Sequence, residues 1–270
     1  MKLSVTSWSF PQCDLRESAA IAQALGLEGI DLGYFYRSAL DKPRLLADPE
    51  GYGAELRSEL PLPAANLYHL FGDGLFERNL AGPAVARNLE DFDRVLAFCR
   101  SVGAPSVFVL PGMLGPGQSR RQALAATAEN LKPMVAAAEG SGVAVTVEPH
   151  VHSYLESPEL TGELAELVPG LKICLDPAHF ATLGYRQDEI EILIPRAGHV
   201  HLRQARPGVL QAKLEEGTLN FPAFLGALRE GGYQGWLAIE YVHQNYMATI
   251  YDDVLSETVK MRDCVRAWTR

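Results

Sequence analysis

The chain has 270 residues, of which 47% are hydrophobic, and a formal net charge of −9. Nucleic-acid-binding proteins present basic patches, so the acidic balance predicts that this chain has no nucleic-acid partner. No apolar run approaches the ~20 residues that span a bilayer, and the N-terminus lacks a signal-peptide apolar core. The four cysteines lie far apart and form no CxxC pair, which indicates reduced thiols. We therefore expect a cytoplasmic protein without a membrane partner.

Eight short apolar segments recur along the chain, with longer helix-like segments between them. Their nearly continuous apolar character, as in SVFVL and VAVTV, is typical of strands buried on both faces of a parallel sheet. The predicted strands are Lys2–Trp8, Gly29–Leu32, Ala64–Tyr68, Ser106–Leu110, Val143–Glu148, Lys172–Asp176, His199–Leu202 and Trp236–Glu240. Eight alternating units in a chain near ~250 residues favour closure into a (β/α)8 TIM barrel. A doubly wound sheet is the alternative, disfavoured because GxGxxG and GxxxxGK[ST] are absent.

Capping signals predict where several helices begin. Asp14, with Glu17 three residues later, fits a capping box at the start of the first helix. Asn88 is predicted to cap a helix over Leu89–Val102, whose apolar residues follow helical spacing. The further predicted helices are Arg121–Ser141, a helix that begins after Asn220, and Asp252–Trp268, with a loop or short helices over Ser38–Glu59. No linker interrupts the pattern, so we expect one domain over residues 1–270.

The fifth to eighth predicted strands each end in a residue type that binds metals. The segments VTVEPH, ICLDPAH, VHLRQ and LAIEY place these residues at four successive strand ends, as Glu148, Asp176, His201 and Glu240. In a TIM barrel such ends face the catalytic mouth, and a carboxylate leaving an apolar strand is costly unless paired or coordinated. Unrelated ion pairs are the alternative. The pattern predicts one divalent metal ion, and its oxygen-rich donors favour Mn2+, Mg2+ or Co2+ over structural zinc.

These motifs resemble the sugar isomerase/epimerase superfamily with the xylose-isomerase-like barrel, and the similarity extends over essentially the whole chain. The segments that carry it are VEPH at 147–150, DPAH at 176–179, HVH at 199–201 and GGYQG at 231–235. The resemblance implies that Glu148, Asp176, His201 and Glu240 are the metal ligands. It further implies that Glu148 and Glu240 transfer protons, and that His179 contacts the substrate.

The two histidines of the HVH segment, His199 and His201, require a choice. Side chains at positions i and i+2 of a strand point the same way, so both imidazoles, and Arg203 after them, are predicted to face inward. His201 lies nearer the mouth and is the predicted ligand, whereas His199 is predicted to support it or to fill the core. Trp8 is predicted to belong to the core rather than to the wall of a substrate pocket.

Five residues are predicted to contact the substrate: His69, His150, His179, Arg203 and Arg206. A structural role is the alternative for each. The two arginines follow a ligand-bearing strand where many relatives carry Lys-Asp, and a guanidinium fits a carboxylate or phosphate. We therefore expect an anionic substrate such as a sugar acid. A surface ion pair with Glu215 or Glu216 is the alternative for the arginines.

The predicted function is a metal-dependent isomerase or epimerase that acts through an enediolate on a small sugar or sugar acid. A metal would stabilise the enediolate while carboxylates move a proton between neighbouring carbons. A lyase, either a keto sugar-acid decarboxylase or a dehydratase, would use the same anion and stays open. An endonuclease IV-like nuclease is remote, because strand four ends at Leu110 without a ligand. A non-catalytic ligand-binding barrel is equally remote, and a homo-oligomer is compatible with such barrels.

Overall fold

The computed structural model describes residues 1–243 and 253–269. Its strands are β1 (Lys2–Thr6), β2 (Gly29–Leu32), β3 (Ala64–His69), β4 (Ser106–Val109), β5 (Ala144–Val147), β6 (Lys172–Leu175), β7 (Ala197–Leu202), β8 (Gln204–Arg206), β9 (Val209–Ala212) and β10 (Trp236–Ile239). Eight of them close into a parallel barrel in which β10 lies between β7 and β1. The predicted TIM barrel is therefore confirmed, and each predicted strand corresponds to one barrel strand.

Helices connect the barrel strands and cover their outer faces. They are α1 (Leu15–Ala24), α2 (Lys42–Ala47), α3 (Pro49–Glu59), α4 (Val85–Val102), α5 (Arg120–Ala138), α6 (Pro158–Leu167), α7 (Pro177–Ala181), α8 (Gln187–Glu191), α9 (Phe221–Glu230) and α10 (Val254–Thr269). The capping box of α1 is present, because Asp14 Oδ1 accepts from Glu17 N at 2.9 Å and Glu17 Oε2 accepts from Asp14 N at 2.8 Å. Asn220 likewise caps α9. Of the predicted final helix, residue 252 lies outside the described residues.

The predicted role of Asn88 as a helix cap is wrong. The helix α4 begins one turn earlier, at Val85, and its N-terminus has no side-chain cap. Asn88 lies buried within the helix, where its Nδ2 donates to Arg78 O at 3.0 Å and to Asn130 Oδ1 at 3.2 Å. Asparagine favours helix caps because its side chain can satisfy free backbone groups, but here tertiary partners satisfy the amide instead.

An antiparallel hairpin, which was not predicted from the sequence, follows the seventh barrel strand. It consists of β8 and β9 and lies outside the barrel. The side chain of Gln204 joins it to the next connection, since Nε2 donates to Leu219 O at 3.0 Å and Oε1 accepts from Leu219 N at 3.0 Å. The hairpin therefore borders the mouth just beyond the strand-seven histidine.

The lower interior of the barrel is unusually polar. Ser4, Asp31, Asn66, Ser106 and His199 are all buried there, whereas branched apolar side chains dominate most such interiors. Hydrogen bonds compensate for part of the burial: Ser4 Oγ donates to Asp31 Oδ1 at 2.9 Å, and Ser106 Oγ donates to Asn66 Oδ1 at 2.7 Å, whereas Asn66 Nδ2 has no hydrogen-bond partner among the described residues. This polar layer lies directly below the strand ends that carry the candidate site.

Candidate metal and substrate site

The four predicted metal-ligand residues converge at the carboxyl ends of β5, β6, β7 and β10. Glu148, Asp176, His201 and Glu240 each offer one ligand atom, and these atoms all lie within 4.8 Å of one another. His201 Nδ1 is 2.8 Å from Glu148 Oε1 and 3.2 Å from Glu240 Oε2. All four residues are buried. The barrel thus brings together three carboxylates and one imidazole that are up to 92 positions apart in the chain.

The chemistry of this cluster fits a divalent cation. Three oxygen donors and one nitrogen suit the harder divalent ions, and three carboxylates buried together need positive charge between them. Glu240 Oε2 is buried without a hydrogen-bond partner, although most buried polar atoms have one. The four residues could therefore hold one metal ion.

Asp31 lies behind the predicted ligand His201 and is not among the site residues predicted from the sequence. Its Oδ2 is 2.7 Å from His199 Nε2 and 3.7 Å from His201 Nε2. The Nε2 side of His201 therefore faces a carboxylate, which leaves Nδ1 toward Glu148 and Glu240. A carboxylate in this position fixes the tautomer and orientation of a metal-binding imidazole. The signal in the sequence was an acidic residue inside the apolar segment GIDL.

The two glutamates differ sharply in acidity. Burial raises the pKa of Glu148 to about 7, against the opposing charge of His201. Burial also acts to raise the pKa of Glu240, but the positive charges of His201 and Arg203 outweigh it and lower that pKa to about 2. Trp8 Nε1 also donates to Glu240 Oε1 at 2.9 Å. Trp8 is buried as predicted, yet it lines the cavity and contacts a candidate catalytic group.

Arg203 points into the site and pairs with Asp176. Its Nη2 donates to Asp176 Oδ2 at 2.7 Å and lies 3.4 Å from Glu240 Oε2. Arg203 Nη2 also lies 2.9 Å from His179 Nε2, which accepts because a guanidinium can only donate. Burial, followed by the neighbouring His150 and Arg203, lowers the pKa of His179 well below its usual range. Arg203 therefore donates to both Asp176 and His179.

The two predicted substrate-binding arginines have different surroundings. Arg203 is 4% exposed and lines the cavity, and its Nε is buried without a partner. Arg206 lies exposed on the β8–β9 hairpin and does not line the cavity. The expected alternative partners Glu215 and Glu216 pair instead with Lys260 and Lys213. Consequently only Arg203 is positioned for a substrate anion at this cluster.

A cavity of about 400 Å³ opens above the cluster. Glu148, Glu240, His150 and His179 line it on one side, and His69 lines it on the other. Burial lowers the pKa of His150 to about 4 and that of His69 to about 3, so both imidazoles are neutral near pH 7. The rings of His150 and His179 lie 4.0 Å apart, and His69 Nδ1 is 3.0 Å from Tyr34 Oη. Neutral histidines and charged side chains thus line the same cavity.

Most of the chain matches a known protein family. Residues 19–262 match the family described as the xylose isomerase-like TIM barrel. The chain belongs to this family. A curated relative, the 2-oxo-tetronate isomerase of Pectobacterium atrosepticum, is 26% identical over 159 residues, which are 56% of this chain and 60% of the relative. The match therefore spans less than two thirds of that relative's length.

Several solved structures share the fold with low sequence identity. An L-ribulose 3-epimerase is 18% identical, with a TM-score of 0.74 over 99% of this chain and 94% of the other. The IolI protein with a bound zinc atom is 17% identical, with a TM-score of 0.73 over 100% and 98% of the two chains. The E. coli 3-keto-D-glucoside 4-epimerase is 18% identical, with a TM-score of 0.69 over 96% and 99%. At such identities these likenesses establish the fold alone.

Among the described residues, no helix combines the length and the apolar character needed to cross a membrane.

Proposed function

We propose that this protein is a metal-dependent isomerase or epimerase that acts on a small hydroxy-carbonyl compound, either a sugar or a sugar acid. The observation that supports it most directly is the convergence of Glu148, Asp176, His201 and Glu240 at one end of the cavity. The names of the family, the curated relative and two structural neighbours point to the same class of reaction. When bound by these four residues, a divalent ion would supply a Lewis acid for the substrate oxygens.

The protein's own groups carry the proton transfer. Glu148 and Glu240 follow β5 and β10, which are not adjacent in the barrel, so they reach a substrate from different directions. Their pKa values are shifted in opposite directions, to about 7 and about 2. A divalent ion held between the two carboxylates would lower the pKa of Glu148 and keep both groups ionised, so that either can remove a proton and later return it. Removal of the proton next to the carbonyl gives an enediolate, and return of a proton to the neighbouring carbon or to the opposite face completes the reaction.

The other cavity residues orient the substrate. Arg203 and His179 line the cavity beside Asp176, and a guanidinium binds a carboxylate through charge-assisted hydrogen bonds. We assign to them the anionic or hydroxyl oxygens of the substrate. His150 and His69, both neutral through burial, can each donate or accept one hydrogen bond toward hydroxyl groups. Arg206 is not included, because it lies outside the cavity.

Deuterium exchange tests the proposal. In D2O, the Mn2+-loaded protein should place deuterium on a carbon next to the carbonyl of 2-oxo-3,4-dihydroxybutanoate or erythrulose, in recovered substrate as well as product. Glu148→Gln and Glu240→Gln should each abolish this exchange, whereas Glu139→Gln, at an exposed position outside the cavity, should not. Release of CO2, with deuterium only at the carbon that lost it, would identify a decarboxylase instead. Turnover without deuterium at any carbon would exclude the enediolate mechanism.

A further inference from the structure

The two halves of the barrel line the cavity with different chemistry. The second half contributes the charged and titratable groups already described, including Glu148, Arg203 and Glu240. The lining from β1 to β4 and their loops is largely apolar, and it includes Phe35, Leu70, Phe71, Leu80, Leu110 and Met113. The cavity therefore has a polar end where the reaction would occur and an apolar region that extends away from it.

The polar groups in the apolar half are mostly satisfied by the protein itself. Asn79 Nδ2 donates to Phe76 O at 3.0 Å, and its Oδ1 accepts from Ala81 N at 2.9 Å. Among the described lining residues of this half, the buried side-chain atom without a hydrogen-bond partner is His69 Nε2. A polyhydroxylated chain needs a partner for each hydroxyl that leaves water, because an unpaired buried hydroxyl is costly. With His69 and the Tyr68 hydroxyl as the main side-chain groups left for a ligand, this half offers too few partners for a row of hydroxyl groups.

An aromatic wall leads from the candidate ligands into the apolar half. The ring of Phe108 lies 5.2 Å from that of His201, and Tyr68 lies 4.9 Å from Phe108. Phe35 stacks on Tyr68 with ring centroids 5.2 Å apart and planes 4° from parallel. Trp8 packs against Phe35 at 5.4 Å. These mutual contacts make a preformed apolar surface next to the position of the reacting carbonyl.

The apolar surface continues to the rim of the same half. Leu75, which lines the cavity, is 48% exposed, and its neighbour Phe76 is 70% exposed. Leu114, on the loop after β4, is 37% exposed. Exposed apolar residues grouped at the mouth of a cavity are typical of a ligand-binding groove. The rim and the wall together form one apolar path that ends at the candidate proton-transfer groups.

We propose that the substrate carries an apolar group, of the size of a phenyl ring or a branched alkyl chain, attached to the hydroxy-carbonyl part that reacts. The hydroxy-carbonyl part lies at Glu148, Glu240 and Arg203. The apolar group lies against Leu110 and against Phe35 and Tyr68 of the aromatic wall. Burial of such a group releases water from two apolar surfaces at once. This inference rests on the proposed function, because it takes the reacting carbonyl to lie at the polar end.

A matched pair of substrates tests it. The compounds 2-oxo-3,4-dihydroxybutanoate and 2-oxo-3-hydroxy-4-phenylbutanoate share carbons 1 to 3 and differ only in a hydroxyl or a phenyl group on carbon 4. Exchange of the carbon-3 proton in D2O is measured for both with the Mn2+-loaded protein. We expect kcat/KM to be roughly tenfold or more higher for the phenyl compound, since a ring buries apolar area that a hydroxyl group does not.

Variants locate the preference in the apolar half. Leu110→Ser and Leu75→Ser should each lower the ratio of the two kcat/KM values several-fold. Leu75 is half exposed, so its replacement carries little risk to folding, and thermal melts verify this. The matched control is Leu167→Ser, a leucine that is 42% exposed at the end of α6 and outside the cavity. It should leave the ratio unchanged.

The outcomes separate this inference from the proposed function. Exchange with a preference for the dihydroxy compound, or with none, would overturn the apolar substituent and leave the isomerase or epimerase function standing. A preference for the phenyl compound that neither leucine variant lowers would also overturn the placement of the apolar group in this half of the cavity. Absence of carbon-3 exchange in both acids, and of any exchange in erythrulose, would overturn the proposed function and this inference with it.

Discussion

At the scale of single residues, Arg203 and Arg206 belong to one sequence motif but have different surroundings. Arg203 continues the inward face of His199 and His201 and is buried against Asp176, whereas Arg206 lies exposed on the hairpin. The alternation of side chains along a strand accounts for the first position. The hairpin, which begins at Gln204, moves the second away from the cavity. The guanidinium beside the cluster is therefore supplied by Arg203.

Arg203→Ala is expected to raise KM for 2-oxo-3,4-dihydroxybutanoate by one to two orders of magnitude, roughly the ~1.5–3 kcal/mol of a charged hydrogen bond. The same change should affect the neutral ketose erythrulose much less, because erythrulose has no carboxylate for the guanidinium. Steady-state kinetics on both substrates provide the measurement. Arg186→Ala removes an exposed arginine paired with Asp188 and serves as the control. Equal losses for the acid and the ketose would mean that Arg203 is structural.

Asp31 yields a second prediction at this scale. Asp31→Asn removes the charge behind His201 while keeping the size of the side chain, so we expect a loss of roughly 10- to 100-fold in metal affinity. Competition titration of Co2+ or Mn2+ against a chelating dye measures this without reference to turnover. Ser4→Ala, which removes only the hydroxyl that donates to Asp31 Oδ1, should have a smaller effect. Unchanged affinity in a folded Asp31→Asn protein would show that His201 does not need this carboxylate.

At the scale of elements, local chemistry sets the start of some helices and not of others. Asp14 and Glu17 form the predicted capping box of α1 through contacts only three residues apart, which a sequence pattern can reveal. Asn88 carries the same capping preference, but its amide bonds to Arg78 and Asn130 across the fold. Asn130, which bonds to the side-chain amide that would otherwise cap the helix, is 42 residues away, so no local sequence pattern indicates it. Helix starts are therefore predictable only where the cap has no such competitor.

Asp14→Ala is expected to lower the free energy of unfolding by about 1 kcal/mol, the usual contribution of an N-cap side chain. The replacement removes the bond from Glu17 N to Asp14 Oδ1 and keeps the backbone N–H of residue 14, and the candidate site lies elsewhere. Urea denaturation of the two proteins measures the change. The control is Asp93→Ala, an exposed aspartate inside α4, which should be neutral or slightly stabilising because alanine favours helices. Equal effects of both replacements would contradict a capping role for Asp14.

At the scale of the whole molecule, barrel closure concentrates charge that the unfolded chain keeps apart. Burial raises the pKa of Glu148 from 4.5 to about 7, so the folded protein binds this proton more tightly than the unfolded chain does. The resulting stabilisation is fully present at low pH and is lost as the pH rises through about 7. Glu240, with its pKa lowered to about 2, acts in the opposite sense, and its contribution is lost only as the pH falls toward that value.

Relative to its Glu148→Gln variant, the metal-free protein is therefore expected to lose several degrees of thermal midpoint between about pH 5 and 8, because the buried neutral histidines His69, His150 and His179 act in the opposite sense in both proteins. Added Mn2+ should raise the midpoint, because an ion that binds only the folded state stabilises it by mass action. It should also flatten the pH dependence, since the ion supplies the charge that ionised Glu148 needs. Calorimetry of the protein and of Glu148→Gln, with and without EDTA, measures both effects. Identical midpoints after verified metal removal would argue against a metal site here.

The sequence by itself determined the barrel and the cluster of four candidate ligands. Apolar segments alternating with helices fix a parallel sheet, and all parallel strands end at one rim, so Glu148, Asp176, His201 and Glu240 could be placed together from their positions alone. Only the tertiary structure decided what surrounds them. The bond from Trp8 to Glu240 joins residues 232 positions apart, and Asp31 reaches His201 only across the closed barrel. Periodicity is a local property of the chain, whereas these contacts depend on how distant strands pack, which no single segment encodes.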